Sequence, residues 1–343
     1  MCRPRPARPL HWSRLRACVI VDSPQGLFCP DGAFHLDPIQ PVERAVLTHA
    51  HGDHARAGSS SYLCTPETAE LLRRRLEGAR IETLPYGERR RIGDATVSLH
   101  PAGHMLGSAQ VRVEGGSGIW VFSGDYKREA DPTCAPFELV RCDVFITEAT
   151  YALPLFRWDD PRSVAAGIVA WWQGNARETS VLFCYALGKA QRLLAEIARL
   201  TDREVRVHGM MESFAQVYRE QGVPLARTRL VGDDRGLAGE LVLAPITARG
   251  TPWMKRFRSF EQAFASGILR IRGTRRRRGF DRGFVISDHA DWPGLLRTVR
   301  ETGAERVLAT HGHREALVRY LREAAAVEAA PIGTPQPADP EGD

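Results

Sequence analysis

The 343-residue sequence predicts a mixed α/β fold in which a strand-rich first part gives way to alternating helices and strands. Three observations carry this. Residues 17 to 47 run through "ACVIVDSPQGLFC", "DGAFHLDP" and "RAVLT", short apolar runs punctuated by turn residues, the pattern of strands joined by tight turns. From about residue 155 the texture changes to helix–strand–helix–strand, the signature of parallel α/β structure. After a basic stretch, apolar strands resume at "GFVISDHAD" and "RVLATHGHREAL". The length suits two domains or one large one.

In chain order, "TPETAELLRRRLEG" predicts a helix, with Thr65 as cap, Pro66 at the first helical position and Gly78 at its end. "ARIETLPYG", "RRIGDATVSLHPAGH" and "AQVRVEGGSGIWVFSGDY" predict strands with glycine-rich turns. Helical periodicity in "DDPRSVAAGIVAWWQGNA" precedes the apolar strand "SVLFCYAL", the helix "GKAQRLLAEIARL" and the strand "REVRVHG". The closing "PIGTPQPADPEGD" is proline-rich and acidic, and is expected to be disordered. No internal repeat is visible.

Composition narrows the functional classes. Apolar residues make up 43% of the chain and charged residues 26%, ordinary globular values. A net charge of +6 leans weakly toward an anionic partner. The seven cysteines are odd in number and none lies in a C-x-x-C pair, so buried free thiols in a reducing cytoplasm are expected. No run of about eighteen apolar residues exists to span a membrane. The basic amino terminus lacks the apolar core of a secretory signal.

The stretch "THAHGDHARAG" (48–58) places His49, His51, Asp53 and His54 on one short loop after an apolar run. A solvated turn would be richer in serine and asparagine. Residues two apart on a strand share a face, so His49 and His51 aim at one point. Gly52 permits a tight turn that sends Asp53 and His54 toward a second point. Imidazole with carboxylate suits zinc or manganese, and the doubling predicts two ions. One loop cannot close two metal sites. His104 in "PAGHMLGS", Asp125 in "WVFSGDY" and His311 in "VLATHGHRE" each follow an apolar strand, and are the candidates to complete the shell.

Asp37, the His49/His51/Asp53/His54 loop, His104, Asp125 and His311, in this order, resemble the metallo-β-lactamase superfamily. The resemblance implies an αββα sandwich with one metal on His49, His51 and His104 and a second on Asp53, His54 and His311. Asp125 would bridge the ions, and Asp37 would orient a ligand histidine. Glu148 in "FITEATY", His289 in "VISDHAD" and His311 in "ATHGH" resemble motifs A, B and C of the β-CASP nucleases, in which an α/β domain is inserted into the lactamase fold. The implied division is a first lactamase part over 1–155, an inserted domain over 156–282, a second lactamase part over 283–330 and a tail from 331. "TEATYALPLFRW", "YALGKAQRLL" and "RGFVISDHADW" look most like bacterial ligase-associated DNA exonucleases, Artemis relatives linked to an ATP-dependent DNA ligase and a helicase. One departure stands out. Eukaryotic DNA-acting relatives lack a histidine where His311 stands, whereas RNA-processing relatives have one.

The expected activity is two-metal hydrolysis of DNA phosphodiesters, as a single-strand 5′ exonuclease in DNA repair, with catalytic roles for Asp53, Asp125, Glu148 and His289. His289 would protonate the leaving 3′ oxygen, held by Glu148. Arg275, Arg276, Arg277 and Arg278 form either a solvated loop or a grip on the phosphodiester backbone. Lys189, at a helix start, is a weaker phosphate candidate. His208 is expected to pack at a strand end, and His11, His35, His100 and His313 to be structural or exposed. Trp171, Trp172 and Phe156 could stack on bases, though helical spacing favours core packing for the tryptophans. The alternatives are RNA processing by the same site, a thioester or lactam hydrolase, and a non-catalytic nucleic-acid-binding scaffold. The intact ligand set disfavours the scaffold, and the inserted segment with its basic stretch disfavours the small-molecule hydrolase.

Overall fold

The computed structural model describes residues 19–333. His11, Cys2, Cys18, the amino-terminal segment and the tail from 334 onward lie outside the described residues. The strand-and-turn texture of the amino-terminal part folds into a six-stranded sheet in sequential order: β1 (Val21–Ser23), β2 (Gly26–Cys29), β3 (Phe34–Leu36), β4 (Arg44–Val46), β5 (Ser61–Cys64) and β6 (Ile81–Thr83). Helix α1 (Pro66–Arg73) covers its outer face. Thr65 caps it, its hydroxyl accepting from the Thr68 N–H. The helix stops at Arg73 rather than at Gly78, because the Arg74 and Arg75 N–H groups already fold back onto Leu71 and Leu72.

The second sheet begins with β7 (Arg89–Ile92), β8 (Ala95–Pro101), β9 (Ala109–Gly115), β10 (Gly118–Phe122) and β11 (Val144–Glu148). The chain then leaves it. Helix α2 (Pro161–Gly174), β12 (Thr179–Phe183), α3 (Lys189–Ala198), β13 (Val205–Val207), α4 (Gly209–Glu220), β14 (Thr228–Leu230), β15 (Leu241–Ala244), β16 (Phe260–Ala265), the short α5 (Thr274–Arg277) and β17 (Arg282–Phe284) build a third sheet, all parallel, in the order β14-β13-β15-β12-β16-β17. Every residue of β12 and β15 is buried, as expected of parallel strands covered on both faces. After α6 (Trp292–Thr302), β18 (Arg306–Thr310) returns to the second sheet beside β11; α7 (Arg314–Glu323) and β19 (Glu328–Pro331) complete it.

The first two sheets face each other across a dry core. Cys29, Phe34, Val46 and Leu63 from one pack with Val97, Val111, Phe122 and Ile146 from the other. Helices α6 and α7 seal the outer face of the second sheet through Leu295, Val299, Leu317 and Leu321. The result is an αββα sandwich, with the third sheet threaded between β11 and β18. Its last strand reaches Phe284, two residues past the boundary drawn at 282 from sequence. Pro331 to Gly333, expected in a disordered tail, instead finish the second sheet: Pro331 ends β19 and the Ile332 N–H donates to the Ala309 carbonyl. None of the described cysteines (Cys29, Cys64, Cys134, Cys142 and Cys184) forms a disulfide. Among the described residues no helix is long and apolar enough to cross a membrane.

Candidate metal centre

The sandwich gathers its strand ends at one rim. The His49–His54 loop follows β4, His104 follows β8, Asp125 follows β10, Glu148 ends β11, His289 follows β17 and His311 follows β18. Gly124, at φ +54°, makes the turn into Asp125; a Cβ there would sit 2.5 Å from Thr48 Cβ, so only glycine lets this turn press against the histidine loop. Asp37, itself at φ 39°, ties the loop at both ends. Its Oδ1 accepts from the Thr48 N–H (2.8 Å), and its Oδ2 accepts from the Thr48 hydroxyl (2.5 Å) and from His54 Nδ1 (2.7 Å).

His49, His51 and His104 each turn one nitrogen outward to a protein oxygen and the other inward. His51 Nε2 donates to the Leu187 carbonyl (3.0 Å) and His104 Nδ1 to the Asp288 carbonyl (2.8 Å). His49 Nδ1 meets the Thr48 hydroxyl at 3.0 Å. Inward, His51 Nδ1 and His104 Nε2 are 3.3 Å apart, and Asp125 Oδ2 lies 3.6 Å from His49 Nε2 and 3.8 Å from His104 Nε2. Donors on a tetrahedral ion with bonds of about 2.1 Å are separated by roughly 3.4 Å, so these four atoms fit one ion. His49 Nε2 is buried without a hydrogen-bond partner, which is costly unless a cation takes its lone pair. On the other side of Asp125, His54 Nε2 lies 3.2 Å from Oδ2 and 3.6 Å from Asp53 Oδ2. The His311 ring sits 5.3 Å from that of His54, and its buried Nδ1 is also without a partner. This second set is wider than the first, and Asp53 is its most exposed member. A divalent ion suits the cluster.

The electrostatics suit a cation. Burial, reinforced by neighbouring imidazoles, pushes the pKa values of His49, His104 and His311 down and that of His51 to about 3. All four are therefore neutral, with lone pairs ready to bind. Burial opposes charge on His54 too, but Asp125 and Asp53 outweigh it and raise its pKa well above the usual value. Burial likewise works against ionised Asp125, yet His54 and His289 hold its carboxyl well below the ordinary range. A cation bound at His54 would compete with a proton there.

Glu148 and His289 stand beside this cluster. Glu148, fully buried, accepts the Tyr126 N–H at 2.7 Å and meets His289 Nδ1 at 2.9 Å; His289 Nδ1 is 4.0 Å from Asp125 Oδ2. The structure thus brings together His49, His51, Asp53, His54, His104, Asp125, Glu148, His289 and His311, with Asp37 behind them. Lys189 is not on a helix surface: it is buried at the start of α3, its Nζ 3.9 Å from Asp288 Oδ2. The arginine run lies apart, in α5 at the outer edge of the third sheet. Arg275 donates to the Phe280 and Asp281 carbonyls, Arg277 to Arg272 and Thr274, and Arg278 lies over the Phe264 ring, while Arg276 and Arg277 are exposed. Phe156, Trp171 and Trp172 are buried, which removes them as surfaces for base stacking. His208 caps α4, His35 rests against Phe28, His100 pairs with Glu138 and His313 begins α7.

Sequence reading missed several partners. Arg75 donates to the Ala50 and Ala55 carbonyls, bracing the histidine loop from the end of α1. Tyr185, half-buried at the end of β12, sets its ring 4.7 Å from that of His51. The Leu187 and Asp288 carbonyls carry no sequence signal at all.

A histidine–carboxylate centre on the rim of an αββα sandwich defines the metallo-β-lactamase class. Over 303 residues (87% of this chain), the sequence is 32% identical to a protein of Opitutus terrae named "Probable DNA ligase", of which the chain spans 30%. It is 34% identical over 120 residues to "Endoribonuclease YSH1" of Gibberella zeae, covering 33% of this chain and 14% of that protein. It is 35% identical over 88 residues to "5' exonuclease Apollo" of Gallus gallus, covering 24% of this chain and 19% of that one. The chain thus spans less than a third of each of these relatives. A crystal structure of a protein of unknown function from Enterococcus faecalis V583 shares the fold, with TM-score 0.54 at 13% identity over 84% of this chain and 78% of that one. No family model matches. The chain belongs to the metallo-β-lactamase superfamily, and within it to the β-CASP group.

Proposed function

We propose that this chain is a metal-dependent nuclease that hydrolyses DNA phosphodiesters, as a single-strand 5′ exonuclease in DNA repair. One observation carries the reading: Asp125 Oδ2 lies within 4.0 Å of four imidazoles, among them His289, whose Nδ1 also meets Glu148 at 2.9 Å. His49, His51, His104 and Asp125 would hold one ion, and Asp53, His54, His311 and Asp125 a second, manganese or zinc. Such ions supply charge stabilisation for a phosphoryl centre and make water a nucleophile at neutral pH. With Nδ1 against Glu148, His289 would present Nε2 to protonate the leaving 3′ oxygen. Domain limits of 156 and about 284 for the inserted unit complete the reading.

DNA is supported by the match to a protein named as a DNA ligase over 87% of the chain. The same match supports a DNA ligase as partner; its ATP dependence and a helicase rest on the sequence resemblance alone. RNA processing is the second reading, favoured by the match to an endoribonuclease and by His311 beside His54. Chelator-stripped protein, given manganese or zinc and 5′-labelled single-stranded DNA or RNA, tests both. Labelled mononucleotides from DNA, released only with metal, are expected. Faster loss of RNA turns the assignment to the second reading, and no cleavage of either rejects both.

Two smaller predictions follow from placement. Asp37→Ala frees both ends of the histidine loop and the far nitrogen of His54. Metal affinity by calorimetry should fall about 10- to 100-fold, the usual effect of losing such a partner. Arg276→Gln with Arg277→Gln should flatten the salt dependence of single-strand binding by about 0.7 in log–log slope per lost phosphate contact. An unchanged slope makes α5 a solvated edge.

A further inference from the structure

We propose that Arg192 and Lys127 form a buried cationic clamp on the Ser287 carbonyl, and that this clamp positions both His104 and His289. The inference rests on the nuclease reading for its kinetic consequence, though not for its effect on metal binding. Three consecutive residues link the parts. The Ser287 carbonyl accepts from Arg192 Nη1 (3.0 Å) and from Lys127 Nζ. The next carbonyl, of Asp288, accepts His104 Nδ1 at 2.8 Å and so fixes which nitrogen of that ring faces Asp125. The next residue is His289 itself, whose N–H donates to Ser287 Oγ (3.2 Å) and whose ring meets Glu148.

The clamp draws on two separate parts of the fold. Arg192 projects from α3, under the third sheet, while Lys127 lies two residues beyond Asp125 on the sandwich rim. Both are buried, at 0% and 2% exposure. Asp131 Oδ2 lies 3.3 Å from Arg192 Nε, and Asp288 Oδ1 lies 3.7 Å from Arg192 Nη1, which offsets the buried charge. Apolar side chains of similar volume would fill this space at lower desolvation cost, so stability alone gives no reason to bury two cations here. Charge-assisted bonds to both lone pairs of one carbonyl do fix its peptide plane. That plane anchors the backbone on the amino-terminal side of Asp288, whose own carbonyl, one residue on, orients His104. Neither cation touches the candidate ligands' inward atoms, so both are positioning residues.

The test uses the full chain stripped with chelator. Manganese binding is followed by calorimetry, and kcat and KM are measured on 5′-labelled single-stranded DNA. Arg192→Met is expected to bind manganese about 10- to 100-fold more weakly and to lose kcat by a similar factor, as when other outer partners of ligand histidines are removed. KM should stay within about threefold, because no substrate contact is lost. Arg192→Lys keeps the charge and should fall between the two. Unchanged manganese affinity and kcat in Arg192→Met, whatever its melting temperature, overturn the clamp. Should Arg192→Met fail to fold, Lys127→Met carries the same expectation and the same overturning result. Should the unaltered chain cleave no nucleic acid, the nuclease reading falls, while manganese titration of the variants still judges the clamp.

Discussion

Asp125→Ala is expected to abolish hydrolysis while leaving the chain folded. Its Oδ2 is close to both candidate sets, 3.6 Å from His49 Nε2 and 3.2 Å from His54 Nε2. Loss of one histidine would remove a donor from one of the proposed ions; loss of Asp125 would remove a negative charge proposed to serve both. The residue lies at the rim, outside the core packed between the two sheets, so the sandwich keeps its apolar contacts. Elemental analysis should show bound metal falling with activity, and the melting transition should stay cooperative. Full metal content with normal turnover would take Asp125 out of the shell.

The second large effect is expected at His289, where the leaving group decides its size. A deoxyribose 3′ oxygen is strongly basic and must be protonated as it departs. His289→Ala should therefore slow cleavage of DNA by about 10² to 10⁴. A nitrophenyl phosphodiester expels a weak base and needs little protonation, so the same variant should lose far less activity on it. Asp125→Ala should fail on both substrates. Glu148→Gln should mimic His289→Ala in direction with a smaller loss, since Glu148 acts only through its 2.9 Å contact with the ring. Equal losses in His289→Ala on both substrates contradict the acid role and point to phosphate positioning.

Much of the architecture was legible because it is local. The helix at Thr65 follows from a capping hydroxyl and a proline, and the fully buried β12 from an unbroken apolar run. The boundaries that moved did so for tertiary reasons. Pro331 to Gly333 look like a tail by composition, but the edge of β18 offers Pro331 and Ile332 a ladder, and the Asp22 carboxylate accepts the Gly333 N–H. The helix-start lysine is buried beside Asp288, while much of the basic run is engaged with its own neighbours.

The sequence by itself determined the α/β class and the identity of the candidate ligands, because only histidine and carboxylate at strand ends make that pattern. It could not determine how those rings are aimed. Their orientation depends on the Leu187 and Asp288 carbonyls, and every residue in a chain has a carbonyl. Nor could it assign Arg192 and Lys127 to the interior, since both types are surface residues by default and are buried here only where a carbonyl and two carboxylates converge on them. Tertiary structure alone decides which backbone oxygens meet which side chains, because that choice depends on segments more than a hundred residues apart being folded to within hydrogen-bond distance.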